Sequence, residues 1–307
     1  MLDAVKAVSA EALAPRPVAV DAAGKVSLPG RAVRSLLTAV RRLDARLFQI
    51  VFLGSLLLFG ALVRDFALEW QQVALTFVAG LAAQAFWIKA LGLKRVGFLS
   101  AFVTCLGTSI LVRADSDWVH PLLAALAISA KFTIRIRGKH VYNPANLAVI
   151  LAIAVVPGAW ASPGQWGSDV LIGLWFVALG VTVTTSAKRL DIVWAFLGSY
   201  TAMLAARMFI LGQSEAVLIH QLSNGGLLLF TFFMISDPMT TPNRRALRLA
   251  YAFLVAALAY VWQFVFFTPN GPVWALFVLT PLVPLIDWIW PAQKHVWQSQ
   301  AVRGAVH

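Results

Sequence analysis

The sequence predicts an all-α polytopic membrane protein with ten transmembrane helices, and three observations carry that prediction. The first is composition: 60% of the 307 residues are hydrophobic, 12% are charged and the mean hydropathy is +0.79, values that place the chain among membrane proteins. The second is the spacing of apolar runs, most of them near the roughly 20 residues that a helix needs to cross a bilayer. The third is the distribution of Lys and Arg between those runs. Short alternating segments, the mark of a membrane β-barrel, are not visible, and lipid-exposed backbone must otherwise satisfy its own hydrogen bonds as helix.

Residues 1–46 read as a cytoplasmic arm. Its first part, interrupted by Pro15 and Pro17, shows no period. From Pro29, Val33, Leu36, Leu37, Val40, Leu43 and Leu47 recur at helical spacing, with Arg31, Arg34, Arg41, Arg42 and Arg46 between them. That pattern predicts a basic amphipathic helix on anionic headgroups. The first long apolar run begins only near Leu47, so no cleavable signal peptide is expected. The transmembrane domain, 47–290, divides into spans near 47–63, 70–88, 97–112, 118–134, 145–157, 169–185, 191–212, 224–236, 247–267 and 272–290, and 291–307 reads as a cytoplasmic tail. The fifth and eighth spans are short, as spans bordering a substrate or ion site often are.

Charge tests that count. With both termini cytoplasmic, all but Arg64, Arg113 and Arg207 of the 25 Lys and Arg residues fall on the inner side, as the positive-inside rule requires. One span more or fewer would reverse the sign of every later loop. Trp70, Trp118, Trp160, Trp166, Trp194, Trp274, Trp288 and Trp290 fall near helix ends, where an indole anchors at the interface. The net charge of +12 is scattered between apolar segments and forms no stripe for nucleic acid. A single Cys105 excludes an internal disulfide and a cysteine-clustered metal site.

Two loops concentrate directional polar groups. FTIRIRGKHVYNPANLA, residues 132–148, with Lys131 just before it, holds Arg135, Arg137, Lys139, His140, Tyr142, Asn143 and Asn146, and MISDPMTTPNRR, residues 234–245, holds Asp237, Thr240 and Thr241. Both fall on the same side in a ten-span topology, so Arg135, Arg137, Lys139 and His140 are expected to meet Asp237, Arg244 and Arg245, with Asp287 beside them. Two readings follow. In one, the acids clamp helix ends through ion pairs. In the other, Asn143, Asn146, Thr240 and Thr241 present donors and acceptors to a planar polar ligand, a flavin or a quinone headgroup, Tyr142 stacks or donates its hydroxyl, and Lys139 stabilises an anionic form or a phosphate. His140 is more often a hydrogen-bonding residue than a proton shuttle. Gln84, Thr104, Thr108, Ser109, Ser129 and Tyr200 are candidates to line a polar path within the spans, but no carboxylate falls near a midplane, which argues against an autonomous ion pump.

GKHVYNPA (138–145), FFMISDPMTTP (232–242) and PLID (284–287) resemble the membrane-subunit family that includes the D-type subunit of the Rnf complex and the B-type subunit of sodium-translocating NADH:quinone reductase. The likeness runs over roughly 47–290, and its most specific part is the aspartate-proline loop. The resemblance implies two inverted five-helix repeats, related to the urea-transporter fold, with bound flavin (FMN or riboflavin) serving transmembrane electron transfer in a bacterial inner membrane. Asn143-Pro144 before the fifth helix and Pro269-Asn270 before the tenth echo such a repeat.

Redox members of that family attach flavin phosphate to a threonine in a Ser-Gly-Ala-Thr segment, which does not occur here; the nearest threonine cluster is TVTTSAK, 182–188. A noncovalent flavin or a quinone is therefore expected, as is a likeness to the shorter relatives outside the large complexes, some of them associated with enediyne biosynthesis. The chain has no dinucleotide fingerprint or cluster ligands, so the expected role is a non-autonomous oxidoreductase subunit working beside other redox or membrane subunits. The alternatives are a transporter or channel for a small polar solute and an accessory of a membrane-bound biosynthetic assembly.

Overall fold

A computed structural model describes residues 44–63, 68–93, 97–162 and 170–295. Nearly all of the arm and its expected amphipathic helix, Arg64, Trp166 and most of the tail lie outside the described residues. Helices occupy each of the ten expected apolar runs: α1 (Ala45–Val63), α2 (Trp70–Ala90), α3 (Leu99–Leu111), α4 (Val119–Thr133), α5 (Pro144–Val155), α6 (Val170–Ser186), α7 (Leu190–Leu211), α8 (Glu215–Leu222) with α9 (Gly225–Leu229), α10 (Arg245–Phe264), and α11 (Gly271–Leu279) with α12 (Leu282–Ile289). The architecture is that of a multi-pass, all-α membrane protein. Among the described residues four helices, α1, α2, α7 and α10, are each long and apolar enough to cross a bilayer, and up to six spans result if each bent pair counts as one.

The remaining helices are short for identifiable reasons. α3 ends where Val112–Ala114 (β1) leaves the helix to pair antiparallel with Ala159–Ala161 (β4). Arg113, buried in that turn, donates from Nη1 to the carbonyls of Ser109, Ile110 and Val112, which satisfies the frayed end of α3 without water. Irregular backbone at a helix end is thus covered by protein instead of lipid. α5 begins at Asn143-Pro144: the Asn143 side chain accepts from the Asn146 N–H at 3.1 Å, with proline in the first turn, as helix starts favour.

The eighth expected run, 224–236, holds α9 and a π-helical turn, and α8 lies before it, outside the expected bounds. Asn224 caps α9, which continues as a π-helical turn over Phe230–Met234, and the whole is bent 49° from α8. The tenth run, expected as one helix over 272–290, is broken by 46° between Leu279 and Leu282. Pro281 has no N–H for the ladder and its ring crowds the preceding turn. Thr280 stays satisfied by donating to the Leu276 carbonyl and by its contact with the Tyr251 hydroxyl.

Packing has a recurring plan. α2 lies along α4 and α7 along α10; α1 lies against α3 and α6 against the α9 region; α4 meets α5 and α10 meets α11. Between these sets, α1 packs on α6 and α5 on α11. Two glycines permit close approaches between helices. A Cβ at Gly107 would sit 3.1 Å from the Ala145 Cβ, where α3 meets α5, and one at Gly271 would sit 2.5 Å from the Ala259 carbonyl oxygen, where α11 meets α10.

Candidate functional site

Four short strands and two loops position the polar groups. Arg135–Ile136 (β2) and Lys139–His140 (β3) form a two-residue-deep hairpin, Arg135 opposite His140 and Ile136 opposite Lys139. Arg137 and Gly138 both have positive φ at its turn, the geometry that hairpin turns demand. Beyond it the chain runs down the α11–α12 pair: Lys139 meets Asp287, the Tyr142 ring stacks on Phe277 at 4.9 Å between centroids, and Asn146 Nδ2 donates to the Val273 carbonyl at 3.1 Å. As residue numbers rise from 139 to 146 their partners fall from 287 to 273, so this stretch lies antiparallel to α11–α12. It packs into the bundle, where the sequence reads as a polar loop between two spans.

The second loop meets it. Asp237 Oδ2 accepts from Asn143 Nδ2 at 3.2 Å and lies 3.3 Å from His140 Nε2, while Oδ1 accepts from the Met239 N–H at 2.9 Å. Burial alone would raise the Asp237 carboxyl, but His140, the Met239 amide and Asn143 together outweigh it and hold the group below the usual carboxylate range. Lys139 Nζ donates to the Thr241 carbonyl at 2.6 Å and to Asp287 Oδ2 at 2.9 Å, and Asp287 also accepts from the backbone and side-chain N–H groups of Asn243, each at 2.9 Å. Burial lowers the Lys139 ammonium from its ordinary value, with Asp287 opposing.

A cavity of about 340 Å³ opens beside this junction, within the range of ligand pockets. Lys139, His140, Asn143 and Asp237 line it, together with Lys131, Arg135 and His295. Burial pushes the His295 imidazole down to about 4, leaving it neutral at physiological pH. The opposite end is apolar, walled by Leu53, Ile110, Leu111, Leu229 and Phe233. One face of α3 forms its length: Ser100, Val103, Thr104, Gly107 and Leu111 follow helical spacing over roughly 16 Å.

The eight expected site residues therefore divide. Lys139, His140, Asn143 and Asp237 face the cavity. The others are spent on structure: Tyr142 on Phe277, Asn146 on Val273 and Met234, and the Thr240 and Thr241 hydroxyls on the Asp237 carbonyl. Arg135 donates to Gly138 in its own hairpin, and Arg245 lies 3.6 Å from Asp191 instead of near Asp237. In the sequence, Lys131 reads as one more loop cation. It sits in the last turn of α4, buried, with Nζ donating to Gln84 Oε1 at 2.7 Å and Ser100 Oγ at 3.0 Å. The signal that would have found it is the stripe of small and polar residues on α3 together with Gln84 in an otherwise apolar run.

Comparison with known proteins adds identity to this geometry. Residues 170–295 match the model of the NQR2, RnfD, RnfE family. Over 123 residues the chain is 32% identical to the RnfD-type component of the ion-translocating oxidoreductase complex of Stutzerimonas stutzeri, covering 39% of this chain and 33% of that protein. The corresponding protein of Vibrio cholerae serotype O1 is 33% identical over 89 residues, 29% of this chain and 25% of its own length, and that of Vibrio atlanticus 34% over 95 residues, 31% and 27% respectively. The matched stretch thus spans a third or less of these relatives. The family match covers Asp237, the Asn243–Asp287 contact and the α11–α12 break, whereas Lys131, Lys139 and Asn143 lie before it. Residues 170–295 of this chain are thus similar to the NQR2, RnfD, RnfE family.

Proposed function

We propose that the chain is a membrane subunit of an electron-transfer complex in a bacterial inner membrane, with both termini cytoplasmic, and that the cavity between its two loops holds a noncovalent flavin (FMN or riboflavin) or a quinone. The observation that carries this reading is the convergence of Lys139, His140, Asn143 and Asp237, distant in sequence, on one cavity with an apolar inner end. The names of the similar proteins, each a subunit of an ion-translocating oxidoreductase complex, support the setting. Part of the packing plan supports two five-helix repeats: the pairings α2·α4, α1·α3 and α4·α5 recur as α7·α10, α6 with the α9 region, and α10·α11, and the contacts α1·α6 and α5·α11 join helices at equivalent places in the two halves.

The residues present fit such a group. A planar heterocycle or quinone ring needs apolar walls and a few fixed polar partners, and the Asp237 carboxylate is fixed by three donors. When bound, the flavin or quinone supplies the redox couple. The chain contributes orientation through Asn143, a proton held between His140 Nε2 and Asp237 Oδ2, and a dry apolar end. The TVTTSAK threonines support noncovalent binding: the hydroxyls of Thr182 and Thr184 donate to carbonyls of their own helix, and neither residue lines the cavity. Electrons arrive from and leave to partner subunits.

Cofactor extraction and a visible spectrum of the protein purified from native membranes test this. Flavin or quinone is expected, and Asn143→Ala or Asp237→Ala, each losing a hydrogen bond to a charged group, is expected to lower occupancy about tenfold or more with insertion intact. A wild-type protein that yields neither flavin nor quinone, but conducts a polar solute in proteoliposomes without any redox partner, overturns it.

A further inference from the structure

The charges around the cavity do not balance, and the imbalance has a location. Asp237 is the one carboxylate among the described lining residues, and it already serves His140, Asn143 and the Met239 amide. Among the lining cations, Arg135 and Lys294 are exposed and donate to backbone carbonyls, while Lys139 is compensated by Asp287 and Arg46 by Asp44. Lys131 is different. It is 8% exposed, and no carboxylate among the described residues lies within ion-pairing distance of it. Its ammonium has three N–H donors, of which Gln84 Oε1 and Ser100 Oγ take two; the ammonium also lies 5.1 Å from the centroid of the Phe132 ring at the cavity wall, a contact that brings no counter-charge. Both acceptors are neutral. Burying an ammonium without a counter-charge costs several kcal/mol, and that cost falls away when an anion occupies the adjacent space.

The cavity's polarity gives the rest of the ligand. Lys131, Arg135 and Lys294 stand at the end where α3 begins, with Ser100, while Ile110 and Leu111 mark the apolar end about three turns of α3 away. A ligand matching both ends is an amphiphile with an anionic group at one extremity and an apolar or flat aromatic body at the other.

We infer that the cavity selects an amphiphilic phosphate monoester, with Lys131 Nζ as the fixed counter-charge to the phosphate and the body of the ligand lying along the Val103–Gly107–Leu111 face of α3. The inference rests on the reading that this cavity is the ligand site and narrows it, since it favours FMN over riboflavin and over a neutral quinone. A phosphomonoester carries about −1.5 to −2 charges at pH 7. The same chemistry occurs in FMN and in a phosphatidic acid headgroup.

Lys131 then acts on affinity for the charged end alone. Lys131→Gln removes the charge while keeping a polar side chain. Ser100→Asp leaves Lys131 in place but sets a carboxylate beside Nζ, which Ser100 Oγ approaches to 3.0 Å; an acid in the first turn of α3 is also favourable for the helix. The purified, ligand-stripped protein in detergent is titrated with FMN, with riboflavin and with dihexanoyl phosphatidic acid, and thermal unfolding is followed in parallel.

Wild type is expected to bind FMN at least tenfold more tightly than riboflavin. The ratio should collapse toward one in Lys131→Gln and in Ser100→Asp, with riboflavin affinity changed less than threefold, and it should recover in Lys131→Arg. A ratio that stays above tenfold in both charge-neutralising variants overturns the role of Lys131 while leaving the cavity as the flavin site. If neither flavin binds but phosphatidic acid does, in a Lys131-dependent way, the anion site stands and the redox reading fails. Failure of all three probes to bind folded wild type overturns both.

Discussion

Asp287→Ala is expected to lower the unfolding free energy by about 3–5 kcal/mol, the range for removing one partner of a buried ion pair. Asp287 is the knot between three elements. Its carboxylate takes Lys139 Nζ from the first loop and both N–H groups of Asn243 from the second loop, each at 2.9 Å, and its own helix is α12. Without it, the Lys139 ammonium keeps the Thr241 carbonyl and Asn243 Oδ1 but no counter-charge. The pH dependence follows in sign. Burial already holds Lys139 below its ordinary value, and the variant lowers it further. Over the interval between the folded and unfolded values the unfolded chain binds more protons, so stability rises with pH. The deficit of Asp287→Ala should therefore shrink as pH is raised through the folded Lys139 value. The paired replacement Lys139→Met with Asp287→Leu leaves no stranded charge and is expected to cost far less than Asp287→Ala. Reversible unfolding in bicelles across that pH interval reads both variants against wild type.

Arg248→Met is the second large effect, again about 3–5 kcal/mol. Arg248 is 6% exposed and joins α10 to the start of α7 through Asp191, which receives both Nε and Nη2. Nη1 donates to the carbonyls of Pro242, at 3.3 Å, and Asn243, at 3.0 Å. This guanidinium therefore fixes the backbone that offers Asn243 to Asp287. Arg245 lies 3.6 Å from the same aspartate but is 78% exposed at its side chain, so its screened interaction cannot replace the buried fork. Arg248→Lys keeps the charge and loses the bidentate geometry, and it should recover only part of the loss. Unfolding midpoints of both variants, with Arg245→Ala as a near-neutral control, check the assignment.

The helices were legible because lipid leaves the backbone few alternatives: an apolar run becomes helix wherever it falls. The breaks were less so. Pro281 lies within an apolar stretch, and a proline there is either absorbed or bends the helix according to what neighbours can satisfy, here Thr280 and Tyr251. Charge told that Lys139, His140, Asp237 and Asp287 belong together. It did not tell that Tyr142 to Asn146 would run down α11, since that path depends on Phe277 and Val273, whose residue types carry no sign of it. The same contacts explain why half of the expected ligand residues are occupied elsewhere. An interior polar group is claimed first by buried backbone, as the Thr240 and Thr241 hydroxyls are by Asp237. Lys131 reads as a loop cation because the end of α4 is blurred in sequence, and only the approach of Gln84 and Ser100 from α2 and α3 makes it interior.

The cavity as the seat of the redox ligand is tested most directly by filling it. Val103 lines the middle of the α3 face, and Val103→Trp places an indole in the space the ligand needs; Val78→Trp, at a position 67% exposed on the outside of α2, adds the same ring elsewhere. Purified side by side with wild type, Val103→Trp is predicted to lose its flavin or quinone while unfolding normally, and Val78→Trp to keep it. Wild-type cofactor content in a folded Val103→Trp protein would contradict the account.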